Sequence, residues 1–279
     1  MKRFLILIAV VLVGCGESEE TVQETEDVFV QLQKNWGVVS EGEGELLNNL
    51  KLITDQQADT ILALYKTKII FGPVDDHFGL PLNGLSSITK HQAETLGKVR
   101  TPKSSYSCTL HLNGLTAINE EQAKGLSNAE SLELNGLTSI TDEQAKNLSR
   151  VEDLYLNGLT SITDQQAESL SKVEYLYLNG LTSISDQQAE ILSKVQHLYL
   201  NGLTSITDQQ AESLSKQGAP QLNGLTSITD QQAEILSKLG ASQLNGLTSI
   251  TDQQAEILSK VKHLYLNGLT SITDQQAES

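Results

Sequence analysis

The stretch Leu154–Ser169, LYLNGLTSITDQQAES, recurs unchanged at Leu198–Ser213 and at Leu264–Ser279, with close variants between the copies. The tripeptide Asn-Gly-Leu begins at Asn113, Asn135, Asn157, Asn179, Asn201, Asn223, Asn245 and Asn267, always 22 residues apart. An earlier copy begins at Asn83, which leaves room for an eight-residue insertion near VRTPKSSYS (Val99–Ser107). A degenerate half-copy, LITDQQADTIL, starts at Leu52. Self-similarity at a fixed period of this length is the mark of a solenoid: no unit closes a core alone, and stacked copies share one.

One unit, Val173–Lys194, reads VEYLYLNGLTSISDQQAEILSK. Val173, Leu176 and Leu178 are spaced as a short strand with Leu inward and Tyr175 and Tyr177 outward. Asn179-Gly180 ends it, since both residue types tolerate positive φ and turn a chain. Leu181 and Ile184 then return apolar groups to the interior. Ser185-x-x-Gln188 is a helix N-cap pattern with an acid, Asp186, in the first turn. Ala189 and Leu192 follow on one face among good helix formers. The unit therefore predicts a strand, a turn and a short helix, and the chain an α/β solenoid with parallel strands on one face and helices on the other. A parallel β-helix has coils of similar length, but it needs strand-forming residues through DQQAEILSK, and that segment has few.

The segments VEYLYL, VEDLYL, VQHLYL and VKHLYL resemble the leucine-rich repeat, L-x-x-L-x-L, with Val in the first place. The resemblance covers residues 74–279. The family's Asn falls three residues after the second strand Leu, whereas here it falls one after, and Leu181 takes the usual Asn place. That departure bears on the family's asparagine ladder and on curvature, not on stacking. Two copies depart further: QGAPQL (Gln217–Leu222) and LGASQL (Leu239–Leu244) put Pro220 and Ser242 where the middle Leu is expected, and Gly218 and Gly240 weaken the strand.

The N-terminus reads as a targeting signal. Lys2 and Arg3 precede FLILIAVVLV, an apolar run short for a bilayer span. It ends in LVGC, Leu12–Cys15, which resembles the lipobox of bacterial lipoproteins. The resemblance implies cleavage after residue 14 and lipidation (palmitate) of Cys15, and Gly16 in place of Asp points to the outer rather than the inner membrane. Residues 16–27, GESEETVQETED, carry acids and no base and read as a disordered tether. Residues 28–73 then form an N-terminal cap, with Trp36 plugging the core, and the degenerate first repeat.

The formal net charge is −16. Such a chain is repelled by phosphate backbones, which excludes nucleic acid as a partner. Cys108 is the only cysteine left once Cys15 is lipidated, so no intramolecular disulfide forms and a buried, inert thiol is expected. One Asp per unit (Asp142, Asp164, Asp186, Asp208, Asp230, Asp252, Asp274) sits at a helix start, where it serves that terminus and not a metal. The five histidines lack metal-ligand spacing. Near-identical copies supply the same groups along a line, whereas catalysis needs unlike groups converging on one place, so no catalytic residue and no cofactor is expected.

The outward strand positions remain. They hold Thr109/His111, Ser131/Glu133, Asp153/Tyr155, Tyr175/Tyr177, His197/Tyr199, Ala219/Gln221, Ala241/Gln243 and His263/Tyr265, and they vary while the Leu columns hold. In leucine-rich-repeat proteins this surface commonly contacts partners, which implies a binding face at Asp153, Tyr155, Tyr175, Tyr177, His197, Tyr199, His263 and Tyr265 for a protein or a surface glycan. Tyrosine suits that task because it offers much area for little rotamer entropy. Against this stands a passive spacer or coat grown by duplication, in which the aromatics only suit strands and stack across the ladder. The last copy, a plain internal unit, leaves Leu264, Leu266, Leu269 and Ile272 uncovered, so either a longer array or self-association through that coil is expected.

Overall fold

The computed structural model describes residues 47–66, 79–99, 108–216, 220–239 and 241–278. The expected signal peptide with Cys15, the expected acidic tether and Trp36 lie outside the described residues. The elements run α1 (Asp55–Lys66), β1 (Gly79–Pro81), α2 (Lys90–Leu96), β2 (Thr109–His111), α3 (Glu120–Leu126), β3 (Ser131–Glu133), α4 (Asp142–Leu148), β4 (Asp153–Tyr155), α5 (Asp164–Leu170) and β5 (Tyr175–Tyr177). They continue as α6 (Asp186–Leu192), β6 (His197–Tyr199), α7 (Asp208–Leu214), α8 (Asp230–Leu236), β7 (Ala241–Gln243), α9 (Asp252–Leu258), β8 (His263–Tyr265) and α10 (Asp274–Glu278). From β1 to β6, and again from β7 to β8, each strand pairs in parallel with the next, with equivalent residues in register, as in Leu154↔Leu176 and Leu176↔Leu198. The DQQAEIL segment is helical, so the chain is a leucine-rich-repeat-like solenoid and not a β-helix.

The inward columns form one continuous core. Leu176, Leu178, Leu181, Ala189 and Leu192 are fully buried, and so are their counterparts Leu154, Leu156, Leu159, Ala167 and Leu170 one coil earlier. Cys108 lies in the same core. Each helix of the repeat starts on a capping box. In α6, Ser185 Oγ accepts from Gln188 N–H at 3.0 Å, and Gln188 Oε1 accepts from Ser185 N–H at 2.9 Å.

Polar side chains join coil to coil, and two of these links correct expectations from the sequence. An asparagine ladder is present after all. Asn157 Oδ1 accepts from Asn179 N–H at 3.0 Å, Asn179 Oδ1 accepts from Asn201 N–H at 2.9 Å, and the chain of bonds runs unbroken from Asn48 to Asn267. Asn48, in Asn48-Asn49-Leu50, fills the Asn place of the first described coil, a match hidden in the sequence because Asn49 replaces Gly. The glycine after each ladder Asn also has a different reason from the one expected. Its φ lies outside the left-handed region. What excludes a side chain at Gly180 is space, because a Cβ there would overlap the backbone oxygens of Asn157 and Leu159.

The capping glutamine works twice. While Gln166 Oε1 caps α5, its Nε2 donates to Ile140 O of the preceding coil at 2.8 Å, and Gln92 through Gln276 repeat the bond. The recurring Asp serves the neighbouring coil: Asp142 Oδ1 accepts from Thr163 Oγ1 at 3.0 Å, and Asp186 from Thr207 at 2.9 Å. Gln166→Ala strands a buried carbonyl and removes a cap, which costs about 2 kcal/mol. Gln165→Ala, at the exposed neighbouring position, should change stability by less than about 0.5 kcal/mol. Denaturant unfolding of the two variants is the check.

The irregular copies interrupt the sheet but not the stack. Six strands pair from β1 to β6 and two from β7 to β8, and among the described residues only single bridges, Tyr199↔Gln221 and Gln221↔Gln243, lie between them. Pro220 cannot donate to a ladder, which is why pairing thins there. The asparagine ladder crosses the gap through Asn201, Asn223 and Asn245. In the last coil Leu264, Leu266 and Leu269 are half-buried and Ile272 is 57% exposed.

Candidate functional site: the strand face

Register places the outward strand residues in two rows, and period-2 alternation keeps them off the core. In one row Tyr155, Tyr177 and Tyr199 stack face to face. Ring centroids are 3.9 Å apart in both pairs, with interplanar angles of 8° and 15°. In the other, Tyr175 stacks on His197 at 4.1 Å and 14°, with Asp153 one coil before. All six side chains are half-buried. The rows bring Asp153, Tyr155, Tyr175, Tyr177, His197 and Tyr199 onto one patch. His263 and Tyr265 lie apart from it, on β8 beyond the sheet gap, where Tyr265 is 48% exposed.

Earlier in the array the face closes on itself, contrary to the exposure read from the sequence. Thr109 and Ser131 are buried and share a hydroxyl–hydroxyl bond of 2.9 Å. Small side chains that satisfy each other have no need of water. His111 Nδ1 lies 2.7 Å from Glu133 Oε2, and Asn113 Nδ2 donates to the same oxygen at 2.8 Å. The sequence singled out none of these partners, because each bond joins residues about one coil apart.

Burial pushes the phenols of the main ladder up. It raises Tyr155, raises Tyr177 further, and lifts Tyr199 to about 12, with hydrogen bonding between neighbouring tyrosines contributing at Tyr177 and Tyr199. A phenol whose folded pKa exceeds its unfolded value of 10.0 keeps its proton longer in the folded protein. Stability is therefore whole below pH 10 and falls as pH rises toward 12. The expected result is a decline in unfolding free energy over that window, smaller in Tyr177→Phe/Tyr199→Phe. Tyrosinate absorbance and denaturant unfolding, followed together, check it.

Among the described residues, no group of three or more His, Cys, Asp or Glu is placed to hold a metal ion. The arrangement offers a row of phenol rims and hydroxyls, an imidazole and carboxylates on one sheet face.

A stack of register-locked parallel strands, seven-residue helical returns and a ladder of asparagines defines the class: a leucine-rich-repeat-type solenoid. No family model matches the sequence, and no curated protein matches it. Among solved structures, the chain is similar to the leucine-rich-repeat-containing protein LegL7 from Legionella pneumophila. That likeness has 15% sequence identity, spans 77% of this chain and 79% of that one, and gives a TM-score of 0.51. An internalin from Listeria monocytogenes aligns at 14% identity over 80% and 84% of the two chains, with a TM-score of 0.34. At such identity the likeness is one of fold, and LegL7 carries it.

Proposed function

We propose that the chain is a lipid-anchored protein of the bacterial cell envelope whose solenoid holds a protein partner on the strand face. The observation that carries the binding reading is the aromatic patch of β4–β6: five ring side chains half-exposed on a rigid sheet, preordered by stacking. Preordering lowers the entropy cost of binding. The anchoring reading rests on LVGC and on the polar tether that follows it, and Gly16 favours the outer membrane. A passive spacer has an observation of its own: the tyrosines satisfy one another across the ladder and need no ligand to be ordered.

Two experiments test the proposal. Cys15→Ser should leave an unprocessed precursor and abolish fatty-acid labelling; labelling that persists removes the lipoprotein reading. Affinity capture from envelope extracts, with the full chain and with Tyr155→Ser/Tyr177→Ser/Tyr199→Ser side by side, should yield a discrete protein that only the unaltered chain retains. Identical capture by both chains leaves the spacer.

A further inference from the structure

Resting on the strand face as a protein-binding surface, we infer that its partner presents a segment rich in arginine or lysine, seated over β3–β5. Three observations lead there. First, the ladders use up ring faces. Both faces of Tyr177 are covered, by Tyr155 and Tyr199, and one face of Tyr175 is covered by His197. A sugar ring needs an open aromatic face to stack on. The patch presents mainly rims and hydroxyls, which hydrogen-bond to peptides and to guanidinium groups.

Second, each ladder begins beside a carboxylate one coil back. Asp153 stands in register before Tyr175, and Glu133, already engaged by His111 and Asn113, before Tyr155. The exposed Glu152 and Glu174 immediately precede β4 and β5. A guanidinium over the Asp153–Tyr175 step reaches a carboxylate and an aromatic ring together, the pairing to which its planar fork is suited.

Third, charge is segregated. None of the described strands carries a lysine or arginine, while Arg150, Lys172, Lys194, Lys216, Lys238 and Lys260 follow the helix ends, and Lys262, directly before β8, lies beyond the sheet gap and away from β3–β5. The face is therefore complementary to a cationic partner and repels an acidic one, which steers association as well as holding it.

The test uses the full chain in detergent micelles and a fluorescein-labelled peptide of alternating Arg and Ser, with citrulline replacing Arg in the matched control. Two triple variants remove equal charge: Glu152→Gln/Asp153→Asn/Glu174→Gln on the strand face and Glu168→Gln/Glu190→Gln/Glu212→Gln on the helix side. In about 150 mM salt the strand-face variant should bind the Arg peptide at least about tenfold more weakly, and the helix-side variant within about twofold of the unaltered chain. Equal weakening by both triples means diffuse attraction to an acidic molecule and overturns the inference. So does equal binding of the citrulline peptide, or binding of a neutral oligosaccharide in its place that Tyr155→Ser/Tyr177→Ser/Tyr199→Ser abolishes. A captured protein that the tyrosine triple releases and the strand-face charge triple retains would overturn the cationic partner while leaving the binding face intact.

Discussion

Leu178→Asp is expected to cost more than about 4 kcal/mol, because it buries a carboxylate where nothing can pair with it. Leu178 is fully buried, and its own N–H donates to Tyr199 O at 2.9 Å, so the side chain sits at a strand-to-strand joint. The failure should be local. Each unit of such an array touches only its neighbours, so the coils around Asn179 open while those around Asn113 keep their structure. Denaturant unfolding should show a second, earlier transition, and amide exchange should rise only near the lesion. Thr182→Asp, four residues on and exposed, should change stability by less than about 0.5 kcal/mol. Equal damage from the two would mean that the inside and outside of the coil are misassigned.

The second large effect is expected from the smallest change. Gly180→Ala adds one methyl group, but that carbon would overlap two backbone oxygens of the preceding coil, and backbone cannot swing aside as a side-chain tip does. Overpacking of this kind typically costs about 1–3 kcal/mol, and the upper end is expected where the obstacle is main chain. The displaced turn carries Asn179, so the ladder bond from Asn179 N–H to Asn157 Oδ1 should weaken as well. Thermal unfolding is the check. A merely conformational glycine would behave oppositely: at a φ open to all residues, alanine would stabilise by reducing the entropy of the unfolded chain.

That contrast shows where sequence reasoning reaches and where it stops. The period, the Leu columns, the outward tyrosines and the capping boxes are properties of a single unit or of its spacing, so they were legible. The side-chain hydrogen bonds and close backbone approaches that join one coil to the next were not. The Asn-Gly pair looks like a turn chosen for positive φ, and only the stacked structure reveals the carbonyls that crowd the glycine. The asparagine ladder was obscured by comparison with the family's Asn position; a side-chain oxygen one residue after the second inward Leu reaches the next coil's N–H just as well. Gln166 reads as a cap because the cap is local, while its bond to Ile140 O spans 26 residues. Tyr177 reads as an outward strand residue. Its two stacked neighbours make it part of the scaffold, since each such pair is worth about 0.5–1.5 kcal/mol.

The candidate site follows the same division. Its residues were visible as the variable outward positions, but their grouping was not. The structure gathers six of the eight on β4–β6 and leaves His263 and Tyr265 beyond the thinned sheet. Pro220 accounts for that gap, since it replaces a strand Leu and lacks a donor, whereas Ser242 pairs in register with Leu264 inside β7.

The central claim is that one stack, held by side-chain ladders, runs through this gap and carries the strand face as a rigid surface. Amide hydrogen exchange at Asn223 and Asn245 tests it most directly, because their N–H groups donate only across the coil boundary, to Asn201 Oδ1 at 3.0 Å and Asn223 Oδ1 at 3.2 Å. Protection of both within about tenfold of Asn157 and Asn179 is the predicted result, since all four bonds share one geometry. Exchange at the rate of an open turn for Asn223 and Asn245, with Asn157 and Asn179 protected, would contradict it and divide the array at Pro220.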